Sequence, residues 1–250
     1  MTEMYTLRYV NLEEAVSSVS ENRLPTMFLV ICATELELQA LFDQLDPVQE
    51  GWISLVTGVG PIETVLRMTQ FFESRSLKDC ERIHAVLNFG VAGAYVCDGV
   101  ARVGLLDICL AEEEVLGDLG ISYPDRIEAL DKKLLSRQNY ELDTDLLNRA
   151  RFLLRENNIP EKSGTFVTVC GLTATEARGS MLGQQYSALC ENMEGAAVAR
   201  VCREYHLPLL ELRAISNYVE QRDVGRWKLP EACAVAGNAV AVLLRGMTQQ

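Results

Sequence analysis

The chain has 250 residues, 48% of them hydrophobic and 23% charged, with a formal net charge of −12. A chain of this length and composition can bury roughly three quarters of its unfolded surface in one globular core. The acidic balance argues against a nucleic-acid binder, whose affinity rests on Lys and Arg neutralising phosphates.

Residues 1–25 are polar and weakly patterned and read as an N-terminal extension to a domain spanning 26–250. They lack the cationic start and continuous apolar core of a signal peptide. MFLVICA (27–33) is a short apolar run bounded by Pro25 and a polar turn, hence a buried strand. TELELQALFDQL (34–45) has helical apolar spacing, with Thr34 as N-cap. WISLVTGVG (52–60) is a second strand running into glycines, and Pro61 suits the first turn of a helix over 61–74. IHAVLNFG (83–90) is a third strand ending in GVAGAY, and VGLLDICLAEE (103–113) a fourth. An irregular acidic stretch follows to about Glu141, then a helix near 143–157. Segments 165–171, 187–192 and 207–216 read as further strands, and 193–205 and 230–246 as helices.

This alternation predicts a single α/β domain with a central mixed, mostly parallel twisted sheet flanked by helices. The ligand crevice then lies beyond the carboxyl ends of the strands. No run of about 18 apolar residues suggests a membrane span. Eight cysteines contain no C-x-x-C pair, and only His84 and His206 could join them as ligands. Reduced thiols in a cytoplasmic protein without a metal site or cofactor are the expectation.

Four motifs fall at the expected crevice. In ATELE (33–37), Glu37 is either a base facing the crevice from the first helical turn or simply an acid complementing the helix N-terminus. TGVG (57–60) and NFGVAGAY (88–95), with Gly90 and Val91, let backbone N–H groups approach a ligand, or form tight turns. In ENMEGAAVA (191–199), Glu194 either accepts from two adjacent hydroxyls, with Met193 walling the sugar, or is simply an acid at a helix N-terminus. In RAISN (213–217), Arg213 in an apolar strand needs an ionic partner, and Ser216 and Asn217 either orient one another to read a ligand or form a polar turn that closes the strand.

In this order the motifs resemble the nucleoside phosphorylase/nucleosidase superfamily, specifically its hydrolase branch of methylthioadenosine/S-adenosylhomocysteine nucleosidases. The similarity runs from about Met27 to the C-terminus. It implies a homodimer acting on a purine nucleoside. Glu37 would activate water, Met193 and Glu194 bind ribose, and Ser216 orient Asn217 against the purine. A carboxylate in ATELE, where phosphorylases place arginine, favours water over phosphate as nucleophile.

Adenosine-specific relatives carry Asp where this chain has Asn217. An amide can donate to a purine O6 and accept from N7–H, which suits hypoxanthine. That points to the futalosine hydrolase subfamily, which EEEVLGDLG (112–120), SYPD and RAISNYVEQRDVGRW also resemble. Its substrate carries a carboxyphenyl ketone tail, for which Arg222, Arg226 and Trp227 offer cations and an aromatic wall, unless RDVGRW only caps the last helix. TVCGLTATEA (168–177) departs from the adenosine nucleosidases, which leaves Leu172 and Thr173 as candidates for the base wall. The alternatives are an adenine-releasing nucleosidase of the methylthioadenosine or aminofutalosine type, and a catalytically silent nucleoside-binding protein.

Overall fold

The structure is a computed structural model that describes residues 26–45, 50–76, 80–131, 133–134, 137–220 and 223–248. The expected extension 1–25 and Arg222 lie outside the described residues. One eight-stranded sheet organises the chain. It comprises β1 (Met27–Cys32), β2 (Trp52–Val56), β3 (Ile83–Ala94), β6 (Ile108–Leu116), β9 (Asn139–Glu141), β10 (Glu161–Thr168), β11 (Cys190–Asn192) and β12 (Leu209–Tyr218). Two small ribbons, β4 (Val96–Cys97) with β5 (Val100–Ala101) and β7 (Ile121–Ser122) with β8 (Ile127–Glu128), stand apart from it.

The strand order is β2-β1-β3-β12-β6-β10-β11, with β9 added on β6. Pairs β1–β2, β1–β3, β12–β3, β10–β6 and β10–β11 are parallel. Pairs β12–β6, β6–β9 and β11–β3 are antiparallel, so the sheet is mixed and mostly parallel. The β11–β3 pairing closes β3, β12, β6, β10 and β11 into a ring. It is possible because β3 does not end at Gly90 as the sequence suggests. It continues through GVAGA, whose glycines relax the side-chain crowding that would oppose a bend.

Alternate residues of β1 feed different cores. Phe28, Val30 and Cys32 pack with α1 (Glu35–Phe42), α3 (Thr144–Glu156) and α6 (Leu229–Met247) on one face. Leu29 and Ile31 pack with α2 (Pro61–Glu73) and α5 (Gly195–Glu204) on the other. Burial on both faces is why these strands read as continuous apolar runs. Each fully buried aliphatic side chain contributes about 1.5–3 kcal/mol.

Three boundaries move for local reasons. The strand expected from 103 begins at Ile108, because Gly104 N–H donates to Asp107 Oδ2 (2.8 Å) in a turn and Leu106 takes a φ of 67°. The strands expected from 187 and 207 start late after Ser187 (φ 50°) and His206 (φ 54°), both left-handed. The helix α4 (Glu176–Gln185) has no counterpart in the sequence reading. Its two glycines lower helix propensity, but a Cβ at Gly179 would lie 2.8 Å from Val219 and one at Gly183 2.8 Å from Cys97 Sγ. Helix α6 is, by length and composition alone, apolar enough to cross a membrane, which the sequence reading missed. Its buried positions, among them Ala236, Val240 and Leu243, pack into the first core.

Helices α1 and α6 cross where Gly237 meets the α1 backbone: a Cβ at Gly237 would sit 2.4 Å from the Ala40 carbonyl oxygen. Gly237→Ala is therefore expected to destabilise the protein by about 1–3 kcal/mol. Thermal unfolding should record a Tm fall of roughly 2–4 °C per kcal/mol. An unchanged Tm would show that the helices separate without cost.

Candidate active site

A cavity of about 200 Å³ opens beyond the ends of β1, β3 and β12 and beside β11. It gathers Glu37, Val91, Leu172, Met193, Glu194, Ser216, Asn217 and Trp227 of the residues expected at a site. Two larger surface clefts, of about 590 and 380 Å³, contain none of them.

Glu37 is 4% exposed and occupies the third position of α1. Thr34 caps that helix: its Oγ1 accepts from Glu37 N–H (3.3 Å) and donates to Glu37 Oε2 (2.9 Å). Ala33 N–H (3.1 Å) and Thr34 N–H (2.9 Å) also donate to Oε2, and Val91 N–H donates to Oε1 (3.1 Å). The capping box thus fixes the carboxylate at the cavity, so the helix-capping and cavity-facing readings of Glu37 both hold geometrically. Gly90 sits just behind it. A Cβ there would lie 2.4 Å from Glu37 Oε1 and 2.8 Å from Arg213 Nη1, so only glycine lets the two groups approach.

Glu194 is 5% exposed at the entry to α5. Its Oε1 accepts from Gly60 N–H (3.0 Å), and its Oε2 lies 3.5 Å from Arg213 Nη1. Burial pushes its carboxyl up, against the pull of Arg213 and the Gly60 N–H. Arg213 also donates from Nε to Glu211 Oε1 (2.9 Å). Burial opposes the Arg213 charge, but Glu211, Glu194, Glu37 and Glu114 together hold its pKa above the usual range.

A second polar layer supports this one. Asn192 Oδ1 accepts from Glu194 N–H (3.0 Å) and Gly195 N–H (2.8 Å), and Thr168 Oγ1 accepts from Ala196 N–H (2.8 Å). Side chains from β11 and β10 thereby satisfy the first amides of α5. Asn192 Nδ2 donates to Glu114 Oε1 (2.5 Å), and Thr168 Oγ1 donates to Glu114 Oε2 (2.7 Å). Burial, reinforced by the Glu211 charge, pushes the Glu114 carboxyl well up.

On β12, Ser216 Oγ donates to Asn217 Oδ1 (2.8 Å) and Asn217 Nδ2 donates to the Tyr218 carbonyl (3.0 Å). The amide is fixed with its oxygen on the serine, leaving one Nδ2 proton and further Oδ1 acceptor capacity. Lys228 N–H donates to the Ser216 carbonyl (2.8 Å), which ties the following loop to the strand and brings half-buried Trp227 to the cavity. Leu172, 46% exposed, flanks the opening.

Three expected residues lie outside the lining. Gly90 stands behind Glu37. Thr173 is fully buried, and its N–H (2.9 Å) and hydroxyl donate to Glu191, so it backs the wall and does not form it. Arg226 is solvent-facing and pairs with Asp223 (3.3 Å) across a 3-10 turn, Val224–Arg226. Sequence reasoning missed Glu191, which lines the cavity at 2% exposure. The signal available was an acid at an inward position of a strand otherwise buried.

The match to a family model described as Phosphorylase superfamily covers residues 28–248. A futalosine hydrolase of Thermus thermophilus is 31% identical over 200 residues, 78% of this chain and 81% of the relative. One from Streptomyces coelicolor is 29% identical over 200 residues, covering 80% and 81%. In structure, a mutant of the Helicobacter pylori MTAN with 5′-methylthioadenosine in its active site superposes with a TM-score of 0.73 at 19% identity, over 89% of this chain and 99% of that one.

The raised Glu114 pKa has a testable sign. A carboxyl whose folded pKa lies above its unfolded value costs stability as pH rises past the unfolded pKa. Glu114→Gln can keep the network: Oε1 accepts from Asn192, Nε2 donates to Thr168 Oγ1, and the Thr168 hydroxyl turns to Asn192 Oδ1, now 3.1 Å away. The Tm of this variant relative to wild type should therefore be more favourable at pH 8 than at pH 5. An equal difference at both pH values would contradict a raised Glu114 pKa.

Proposed function

This chain belongs to the phosphorylase superfamily, and we propose that it hydrolyses the N-glycosidic bond of futalosine, releasing hypoxanthine, in the futalosine route to menaquinone. The observation that carries this reading is the amide of Asn217, oriented by Ser216 in a cavity that three carboxylates and Arg213 also line.

Of the charged groups lining the cavity, Glu37, Glu191 and Glu194 are acids, and Arg213 is already shared between Glu194 and Glu211. That field opposes a phosphate dianion and favours water as nucleophile. Glu37 accepts a proton from the water as it attacks C1′. The C1′–N9 bond breaks and its electron pair passes into the purine, which takes a proton at N7 from solvent. Asn217 Oδ1 then accepts from N7–H while Nδ2 donates to O6. Glu194, when ionised, accepts from the two ribose hydroxyls beside Met193. An adenine would turn its exocyclic amine against the Asn217 donor, and a mismatched buried polar pair costs about 1–3 kcal/mol.

We assign the carboxyphenyl tail to Trp227, with Arg226 and, outside the described residues, Arg222 as its cations. Arg226 would have to leave Asp223 to reach a carboxylate, a small cost for an exposed pair. We also read the enzyme as a cytoplasmic homodimer. Eight free cysteines, with burial pushing the thiol of Cys109 up to about 12, suit a reducing compartment. Val59 at the cavity and Ile62 and Leu66 on α2 are 55%, 81% and 47% exposed, apolar side chains that a second copy would cover.

Two kinetic experiments test the reading. Asn217→Asp, assayed without phosphate, should shift kcat/KM towards the amino substrate aminofutalosine relative to futalosine by at least about tenfold. An unchanged ratio would remove Asn217 from base selection. Trp227→Ala and Arg226→Ala should each raise KM for futalosine more than for inosine, which lacks the tail. Equal effects on both substrates would sink the tail assignment.

A further inference from the structure

Glu191 is a buried carboxylate at the cavity wall that the mechanism above leaves without a task. Its place in the sheet is specific. Gly93 of β3 pairs with Glu191 of β11 on one side and with Asn217 of β12 on the other. Residues in register on adjacent strands project from the same face. Glu191 and Asn217 therefore flank a common glycine floor, their strands roughly 10 Å apart at twice the usual strand spacing. All three line the cavity. A Cβ on Gly93 would fall 3.2 Å from Asn217 Nδ2, so the floor between the two side chains is kept clear.

Three groups that touch Glu191 donate to it. Thr173 N–H donates to Oε1 (2.9 Å), the Thr173 hydroxyl donates to Oε2, and Tyr95 OH donates to Oε2 (3.4 Å). Three donors therefore converge on one carboxylate. They also fix its orientation, since Thr173 and Tyr95 are both buried.

A purine whose O6 and N7 face Asn217 presents N1 on its other flank. In a 6-oxopurine N1 carries a proton; in a 6-aminopurine it carries a lone pair. We propose that Glu191 is a specificity-determining residue that accepts the N1–H of the 6-oxopurine across the Gly93 floor from Asn217. A 6-aminopurine meets the wrong group at both positions: its amine faces the Asn217 donor, and its N1 lone pair faces a carboxylate. The inference rests on the oxopurine reading of Asn217 and deepens it.

Calorimetric titration with free bases separates the two claims. Wild-type protein should bind hypoxanthine more tightly than adenine, and 1-methylhypoxanthine, which lacks the N1 donor, much more weakly than hypoxanthine. Glu191→Gln should narrow the hypoxanthine-over-adenine preference by roughly 10- to 100-fold, with adenine affinity unchanged or improved. A merely structural role would weaken both bases alike. A folded Glu191→Gln variant that keeps the full preference overturns the Glu191 assignment and leaves Asn217 standing. Adenine preferred by wild type overturns both. Should the variant not fold, the wild-type comparison decides, and 1-methylhypoxanthine binding as tightly as hypoxanthine overturns the inference.

Discussion

One buried guanidinium organises the site. Arg213 is 1% exposed in the middle of an apolar strand, and a desolvated charge persists there only if it is closely compensated. Its compensation comes from Glu211 on the same strand and Glu194 at the start of α5, with Glu37 drawn near across Gly90. These partners belong to three elements: β12 itself, the entry to α5, and α1. The ion pairs therefore do more than neutralise one charge: they join β12 to the entry of α5, and the Glu37 charge of α1 acts on the same guanidinium. The pleat of β12 then sets Ser216 and Asn217 beyond that point, where a base would lie.

Helix capping performs the fine positioning. The Thr34–Glu37 box completes α1 and presents a carboxylate held by four donor contacts. Asn192 and Thr168 supply the acceptors that the entry to α5 lacks, and so place Glu194. In both cases an acid near a helix N-terminus has an ordinary structural explanation. That explanation accounts for the geometry which the proposed chemistry uses, so the two readings are complementary.

Much of this was readable from residue types. The apolar runs of β1 and β12, and the order ATELE, NFGVAGAY, NMEGAA, RAISN, identified the sheet ends that surround the cavity. What escaped depended on pairing between distant segments. The closure of β3 onto β11 brings Glu191 to the cavity, and no local pattern encodes an antiparallel contact across 96 positions. Helix α4 escaped because its glycines obey the packing of Val219, Cys97 and Tyr95, while propensity argues against a helix. Thr173 was misplaced as a wall residue because its buried role, donating to Glu191, presupposes that missed carboxylate.

The central claim is that a fixed amide in an acidic, buried cavity selects a 6-oxopurine for hydrolysis. Its most direct test is chromatography of the products after incubating the protein, free of phosphate, with futalosine, aminofutalosine, methylthioadenosine and inosine in parallel. Hypoxanthine from futalosine, with no adenine from the amino substrates, is the predicted result. Adenine released at a comparable rate would contradict it, and would mean that the amide at 217 does not choose the base.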